Sequence, residues 1–194
     1  RGWELTARDE NYRATVLVNA AGAWADSVAR LAGAKPVGIQ PMIRNMVQIE
    51  TDPPSSMDMP LVVGLDGSFY FKPEAGGGYW LSPHDEIPSE PADVAPDELS
   101  VAIAIDRFEK ALDVQVKRVS RKWAGLRSFA PDRLPVIGFD GALDDFFWFA
   151  GQGGFGIQTA PAAAKLARSV LLDQAPDDSL QAVDASLYAA SRFS

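Results

Sequence analysis

The sequence predicts a mixed α/β fold, in which two strand-to-helix segments flank an antiparallel sheet. In the first segment, an apolar and β-branched run over residues 13–20 precedes Trp24, Val28 and Leu31 at helical spacing. In the second, an apolar strand over 145–149 enters a glycine cluster, after which a helix begins. Between the two segments the hydrophobic period becomes two, which is typical of half-buried strands.

The first helix is expected to end at Gly33, because glycine readily adopts the left-handed conformation of a helix C-cap. Alternation then predicts a strand over 42–50. One face of this strand presents Arg44, Met46 and Gln48, and the other presents Ile43, Asn45, Val47 and Ile49.

Further strands are expected at 61–63, 68–72 and 79–82, because glycine turns separate three β-branched or aromatic runs. Together with the strand over 42–50, they predict an antiparallel meander. Their aromatic side chains either wall a pocket or, more commonly, fill a core.

A polar linker is expected over 83–96, with the single histidine, His84, exposed to solvent. The next helix is expected over 97–112, with an apolar face formed by Leu99, Ala102, Ile105, Phe108 and Leu112. A long strand over 114–127 follows, and Trp123, Gly125 and Arg127 share one of its faces.

After a loop over 128–135, two buried strands are expected at 136–139 and 145–149. The closing helix is expected over 159–172, with Pro161 in its first turn, where a missing N–H costs no hydrogen bond. Its packed face is expected to contain Ala160, Ala163, Ala164, Ala167 and Val170.

The composition fits a globular protein and argues against several kinds of site. The chain has 194 residues, 47% hydrophobic and 23% charged, enough for one large domain or two small ones. A formal charge of −8 without a Lys/Arg cluster argues against nucleic-acid or anionic-membrane partners. With no cysteine and one histidine, we expect no disulfide, thiol chemistry or metal site. The sequence shows neither a transmembrane run nor a signal-peptide pattern, so we expect a cytoplasmic protein.

The glycine cluster after residue 150 is the clearest candidate for a functional loop. Gly151, Gly153 and Gly156 are spaced as in the GxGxxG dinucleotide fingerprint, but no strand with an acidic end follows about 20 residues later. The loop is therefore not expected to be the primary nucleotide site. A helix N-terminus with free N–H groups remains, which suits a partner that carries or develops negative charge. The structural alternative is a turn that lets the helix pack closely on a sheet.

Three motifs, in order along the chain, resemble the D-amino acid oxidase (DAO) superfamily of FAD-dependent oxidoreductases. They are Val16–Ala25, Trp123–Gly138 and Ala150–Thr159. Within that superfamily they most resemble the D-amino acid dehydrogenases, which include D-arginine dehydrogenase. The resemblance extends over essentially the whole chain.

The resemblance implies the C-terminal part of a glutathione-reductase-like FAD-binding domain with an inserted, mostly antiparallel substrate domain. Residues 1–36 and 131–194 would form the partial FAD-binding domain, and 37–130 the substrate-binding domain. The N-terminal GxGxxG unit, which binds the ADP part of FAD in these proteins, is expected to be missing. A fragment of this kind is expected to be inactive alone.

The family pattern also implies roles for individual residues. Ala20, Ala21 and Gly22 would lie beside the FAD. The flavin ring would rest on a loop formed by Gly151, Gly153, Gly154, Phe155, Gly156 and Ile157. Arg127 would hold the substrate carboxylate, with Arg44 as a second contact and Gln158 as a neutral partner. Phe71 stands where relatives carry a tyrosine, and Tyr70 is adjacent, so both are candidates for the substrate site.

The implied reaction is oxidative deamination of a D-amino acid by hydride transfer from Cα to flavin N5, giving an imino acid and then a keto acid and ammonia. The electron acceptor is left open between oxygen and a quinone or other carrier. Two alternatives remain for the function: a glycine- or sarcosine-type amine oxidase of the same superfamily, and a non-catalytic binding domain.

Overall fold

The computed structural model describes residues 2–193, which form two compact units. The second unit is Met42–Leu126, and the first consists of the described residues up to Pro41 and from Arg127 onward. The boundaries therefore lie at 41/42 and 126/127, whereas the expected boundaries are 36/37 and 130/131. Arg1 and Ser194, the ends of the expected FAD-binding domain, lie outside the described residues. The assignment of one unit to FAD and the other to substrate stays a prediction.

The helices and strands alternate in the mixed α/β pattern that the sequence predicts. In chain order they are β1 (Trp3–Ala7), β2 (Glu10–Ala14), β3 (Leu17–Asn19), α1 (Ala25–Ala32), β4 (Gln40–Asp52), β5 (Val62–Val63), β6 (Tyr70–Pro73), β7 (Gly78–Ser82), β8 (Ile87–Pro88), α2 (Glu98–Ala111), β9 (Gln115–Phe129), β10 (Val136–Phe139), β11 (Phe146–Ala150) and α3 (Gly156–Leu171). Short 3-10 turns precede α1 and follow α3.

The first unit contains a three-stranded sheet in the order β10-β11-β3, with β11 antiparallel to β10 and parallel to β3. Val136, Phe146 and Trp148 are fully buried at its centre. The strand expected over 13–20 is divided, because β2 pairs with β1 in a separate hairpin and β3 pairs with β11. The chain thus changes sheets at residues 15–16.

The second unit is a six-stranded sheet in the order β5-β6-β7-β4-β8, with β9 also paired to β4. The antiparallel meander is confirmed for β5, β6 and β7, whereas β4 pairs with β7 and not with β5. The register places Val47 and Phe71 on either side of Leu81, so these three side chains share the face that packs on α2. Arg44 and Met46 alternate with Val47 along β4 and belong to the opposite face, as the sequence predicts.

The buried face of α2 differs from the expected face. Leu99 is 67% exposed, and the buried residues are Ser100, Val101, Ala104 and Phe108. The N-terminus explains the difference, because Asp97 caps the helix by accepting the Ser100 N–H at 2.8 Å. The Asp97 N–H in turn donates to Oδ1 of buried Asn45 at 2.9 Å, which fixes how the helix begins.

α3 begins three residues earlier than expected, at Gly156 instead of Thr159. Pro161 therefore lies in the second turn, and the expectation of a first-turn proline is wrong. The buried side of α3 contains Leu166 and Ser169, whereas Ala160 and Ala164 are exposed. An alanine-rich helix gives a weak apolar stripe, so packing of the larger Leu166 decides its orientation.

The C-cap glycine of α1 is placed as the sequence predicts, and the single histidine is not. α1 ends at Gly33 with φ 82°, the predicted left-handed C-cap. His84 is half-buried: its Nδ1 contacts the Gly67 carbonyl oxygen, and its ring lies edge-on to Tyr70 at 5.5 Å. The expectation of a solvent-exposed histidine is therefore wrong. No helix among residues 2–193 is long and apolar enough to cross a membrane.

An ion pair holds the C-terminal segment against the loop before β10. Arg192 donates from Nε and Nη2 to the two carboxylate oxygens of Asp132 at 2.7 and 3.1 Å, and Nη2 also reaches the carbonyl oxygens of Leu134 and Pro135. These hydrogen bonds from Arg192 hold the pKa of Asp132 below its usual range. Asp132 therefore pairs with Arg192 and not with the nearby residue in sequence, Arg127.

We expect Asp132→Asn to lower the free energy of unfolding at pH 7 by roughly 0.5 to 1 kcal/mol, a modest value because the pair is partly exposed. Since the folded-state pKa of Asp132 is depressed, its contribution is present above the unfolded pKa, about 3.9, and is lost as the pH falls through the folded value. Urea denaturation of both proteins from pH 7 downward should show the difference shrinking below about pH 4. The exposed Asp9→Asn serves as control, and a difference independent of pH would contradict the prediction.

Candidate functional site

The glycine loop, defined as residues 151–157, joins β11 to α3 and is tied to the end of β9. The Gly153 N–H donates to the Ser128 carbonyl oxygen at 2.8 Å, and Phe129 forms an isolated antiparallel bridge with Gln152. The last residues of β9 therefore act as a backbone support for the loop. Arg127 is one residue before this support, which places it beside the loop.

Gly153 cannot be replaced by a larger residue without moving the loop. Its φ is 56°, in the left-handed region that favours glycine. A Cβ at this position would lie 2.5 Å from Cε1 of Phe129, whose ring is 5% exposed. The guanidinium of Arg133 covers that ring, 4.0 Å from its centroid, so the ring has little freedom to move aside.

The start of α3 is open. Phe155, its N-cap residue, makes no side-chain capping hydrogen bond, and the first turn contains no acidic residue. Phe155 is 62% exposed and Ile157 96% exposed, so the loop side of the helix lies on the surface of the described chain. The free N–H groups and the positive end of the helix dipole are thus available to a group that carries negative charge.

The turn after β3, residues 20–22, is held by Asn19. This side chain is 1% exposed, donates from Nδ2 to the Ala25 carbonyl oxygen at 2.8 Å, and accepts the Ala21 N–H at 3.4 Å. Gly22 has φ 57°, and among the described residues nothing lies within 4 Å of the position of a Cβ there. The turn therefore borders open space. Sequence reasoning missed Asn19, for which the signal is a polar residue that ends an apolar strand.

Arg127 lies directly against the glycine loop. A Cβ on Gly154 would be 2.7 Å from Nη1 and 3.2 Å from Cζ of Arg127. The side chain is half-buried, and no carboxylate among residues 2–193 comes within 4.0 Å of its guanidinium. Gln158, the expected neutral partner, is exposed in the first turn of α3.

Arg44 and Tyr70 belong to the second unit. Arg44 is 4% exposed, and its guanidinium faces Glu86 at 3.4 Å and Asp85 at 3.8 Å. Since burial of an arginine requires compensation, these carboxylates account for its position without a ligand. The Tyr70 hydroxyl donates to Sδ of Met46 at 3.2 Å, on the sheet face opposite α2.

Phe71 is a core residue, contrary to its expected place in the substrate site. It is 1% exposed, and its ring packs edge-on against Phe108 at 5.0 Å and Tyr79 at 6.0 Å. Alternation along β6 separates it from Tyr70, so only Tyr70 lies on the face that could meet a ligand.

The first unit thus combines an open helix N-terminus, two glycine-containing turns and a half-buried guanidinium beside one of them. The helix end suits a cofactor that gains negative charge when reduced, and the guanidinium suits a carboxylate. No group of three His, Cys, Asp or Glu side chains in the described part of the chain is placed to hold a metal ion.

Similar curated proteins are longer than this chain. FAD-dependent oxidoreductase domain-containing protein 1 of Xenopus laevis is 23% identical over 180 residues, which cover 84% of this chain and 36% of that protein. Hydrogen cyanide synthase subunit HcnC of Pseudomonas aeruginosa is 24% identical over 181 residues, 91% of this chain and 40% of that protein. The chain therefore spans about two fifths of the length of these relatives, 36% and 40%.

Solved structures show the same fold. L-proline dehydrogenase from P. horikoshii superposes with a TM-score of 0.80 at 25% identity, over 96% of this chain and 49% of that chain. Glycine oxidase from Geobacillus kaustophilus superposes with a TM-score of 0.80 at 19% identity, over 98% of this chain and 49% of that chain. The expected α/β fold class is confirmed.

The family model described as DAO, FAD dependent oxidoreductase, matches residues 1–169. The matched range includes the turn after β3, Arg127 and the glycine loop. FAD is the cofactor of this family, and the open N-terminus of α3 and the space beside Gly22 fit such a cofactor. The chain belongs to the DAO family of FAD-dependent oxidoreductases.

Proposed function

We propose that this chain is part of an enzyme that oxidises a D-amino acid with FAD, giving an imino acid that hydrolyses to a keto acid and ammonia. The proposal rests on the surroundings of the Arg127 side chain. Its guanidinium is half-buried, lies against the glycine loop, and has no carboxylate within 4.0 Å among the described residues. A buried or half-buried cation without a counter-ion is costly, and a substrate carboxylate would supply the missing charge.

The residues proposed to hold FAD are Ala20, Ala21 and Gly22 together with the glycine loop. When bound, FAD would supply the chemistry by accepting a hydride from the substrate Cα. The N-terminus of α3 would favour negative charge placed against it, since it has no competing carboxylate in its first turn. Asn19 would keep the 20–22 turn in place by its two hydrogen bonds.

Arg127 is proposed to hold the substrate carboxylate through two parallel N–H donors, which fixes the orientation of the Cα next to it. Gln158, which directly follows the loop and is exposed, remains a candidate for a neutral hydrogen bond. Arg44 and Tyr70 stay candidates for further contacts from the second unit, with Asp85 and Glu86 as the competing partners of Arg44.

The substrate class has a second candidate within the same family. The choice of a D-amino acid rests on the resemblance of the three sequence motifs to the D-amino acid dehydrogenases. The likeness to an L-proline dehydrogenase and a glycine oxidase favours a small secondary amine or glycine as the alternative. Both classes carry the carboxylate that Arg127 would bind.

One experiment distinguishes the two substrate classes. We expect anaerobic addition of D-amino acids to bleach the visible flavin absorbance of the FAD-containing protein. The panel should include glycine, sarcosine and L-proline, and bleaching by these alone would assign the amine class instead. A yellow protein that no amino acid in the panel reduces would contradict the proposed oxidation. Peroxide formed on subsequent exposure to air would identify oxygen as an acceptor, and its absence would favour a quinone or other carrier.

We expect Gly153→Ala to yield a folded protein that retains much less FAD, because a methyl group would meet Phe129 and displace the loop. The ratio of flavin absorbance to protein after desalting measures this loss. Gly67→Ala is the matched control, since Gly67 also has positive φ, 69°, but belongs to a turn of the second unit and not to the glycine loop. Equal and full flavin content in both variants would show that the loop does not contact FAD.

We expect Arg127→Ala and Arg127→Lys each to lower kcat/KM by at least about a hundredfold while the flavin spectrum is unchanged. Loss of a charge-assisted contact costs roughly 2 to 5 kcal/mol, and lysine cannot reproduce the guanidinium fork. Arg118→Ala is the control, an exposed cation of the same strand that pairs with Glu50. A lower Tm with loss of flavin and a normal KM would show instead that Arg127 serves the fold.

A further inference from the structure

We infer that Gly154 is a positioning residue for the substrate carboxylate, because its missing side chain leaves the space in which the guanidinium of Arg127 rests. This inference depends on the proposed function, since it explains how Arg127 is positioned to bind the substrate carboxylate. It separates Gly154 from Gly151, Gly153 and Gly156, because a Cβ at none of these three positions would have Arg127 among its nearest neighbours.

The contacts at the Gly154 position are all with one side chain. The three atoms nearest to an added Cβ are Nη1, Cζ and Nε of Arg127, at 2.7, 3.2 and 3.7 Å. Real Cβ atoms do not approach within 3.0 Å of another heavy atom, so the guanidinium and a methyl group cannot both occupy this place. Every atom of the contact belongs to the polar end of Arg127.

The backbone at Gly154 does not itself require glycine. Gly151 and Gly153 have positive φ angles, 73° and 56°, whereas φ at Gly154 is not positive. Alanine is therefore compatible with the local conformation, and only the neighbouring guanidinium argues for glycine. At Gly153 both constraints act together, since the Cβ there would meet the buried ring of Phe129.

Substitution of Gly153 and substitution of Gly154 should consequently have different effects on the protein. The end of an arginine side chain is flexible, so a methyl group at residue 154 is accommodated when the guanidinium moves and the backbone stays. No carboxylate among residues 2–193 lies within 4.0 Å to hold the guanidinium where it is. A methyl group at residue 154 should therefore leave the fold intact but change the orientation of the two parallel N–H donors of Arg127.

Gly154→Ala in the FAD-containing protein tests this inference. We expect kcat/KM for the best substrate to fall about 10- to 100-fold, because a misplacement of about 1 Å can cost that much. The dissociation constant of propionate, a simple carboxylate probe followed by its perturbation of the flavin spectrum, should rise by a similar factor. Because the loop would contact FAD through its backbone, which stays in place at residue 154, flavin content should not change, and Tm should move by no more than about 2 °C.

Gly76→Ala is the matched control. Its added Cβ would also meet only the flexible end of a side chain, Oε2 of Glu74 at 3.1 Å, in an exposed turn of the second unit. This variant should keep the parent values of kcat/KM, propionate affinity and flavin content. Loss of flavin from Gly154→Ala, with Gly76→Ala intact, would overturn the inference, because the added methyl group would then act on the cofactor and not through Arg127.

The double variant Gly154→Ala with Arg127→Ala separates the inference from the proposed function. If Gly154 acts only through Arg127, the double variant has the same kcat/KM and propionate affinity as Arg127→Ala alone. Multiplicative losses would overturn the inference while the role of Arg127 stands. Unchanged kcat/KM in Arg127→Ala itself would overturn the proposed carboxylate site, and with it the purpose assigned to Gly154.

Discussion

The close approach of the glycine loop to the end of β9 is the constraint on which the first unit depends. One hydrogen bond, from the Gly153 N–H to the Ser128 carbonyl oxygen, and the buried ring of Phe129 beneath Gly153 hold the two segments together. β11 and α3 are joined through this loop, so the direction in which α3 leaves is decided there. The same contact brings the guanidinium of Arg127 to the loop, because Arg127 directly precedes the residues that support it.

The cations of the described chain have different electrostatic surroundings. Arg192 is neutralised by Asp132, Arg44 faces Asp85 and Glu86, and Arg107 donates to the carbonyl oxygens of Ser68 and Pro83. Groups within the same unit therefore account for the positions of these three guanidinium groups. Arg127 is half-buried and has no such carboxylate, which is why its position argues for a ligand.

Buried polar side chains fix the ends of helices and strands in both units. Asp26 on α1 accepts the N–H groups of Val37, Gly38 and Ile39 at 3.2, 3.0 and 2.9 Å, and so sets the path of the chain into β4. Asn19 holds the turn after β3, and Asn45 joins Asp85 to the N-terminus of α2. Unsatisfied buried polar groups are costly, so each of these side chains admits few alternative arrangements of the loops it binds.

The sequence by itself determined the fold class, the meander, the C-cap at Gly33 and the location of the glycine loop, because these follow from local periodicity and glycine conformation. Only the tertiary structure decided which faces are buried where the apolar stripe is weak, as for Leu99 on α2 and Ala164 on α3. It also decided that Phe71 belongs to the core, that Asp132 pairs with Arg192, and that Gly154 faces Arg127. These outcomes depend on contacts between residues that are far apart in sequence, and local periodicity carries no information about such contacts.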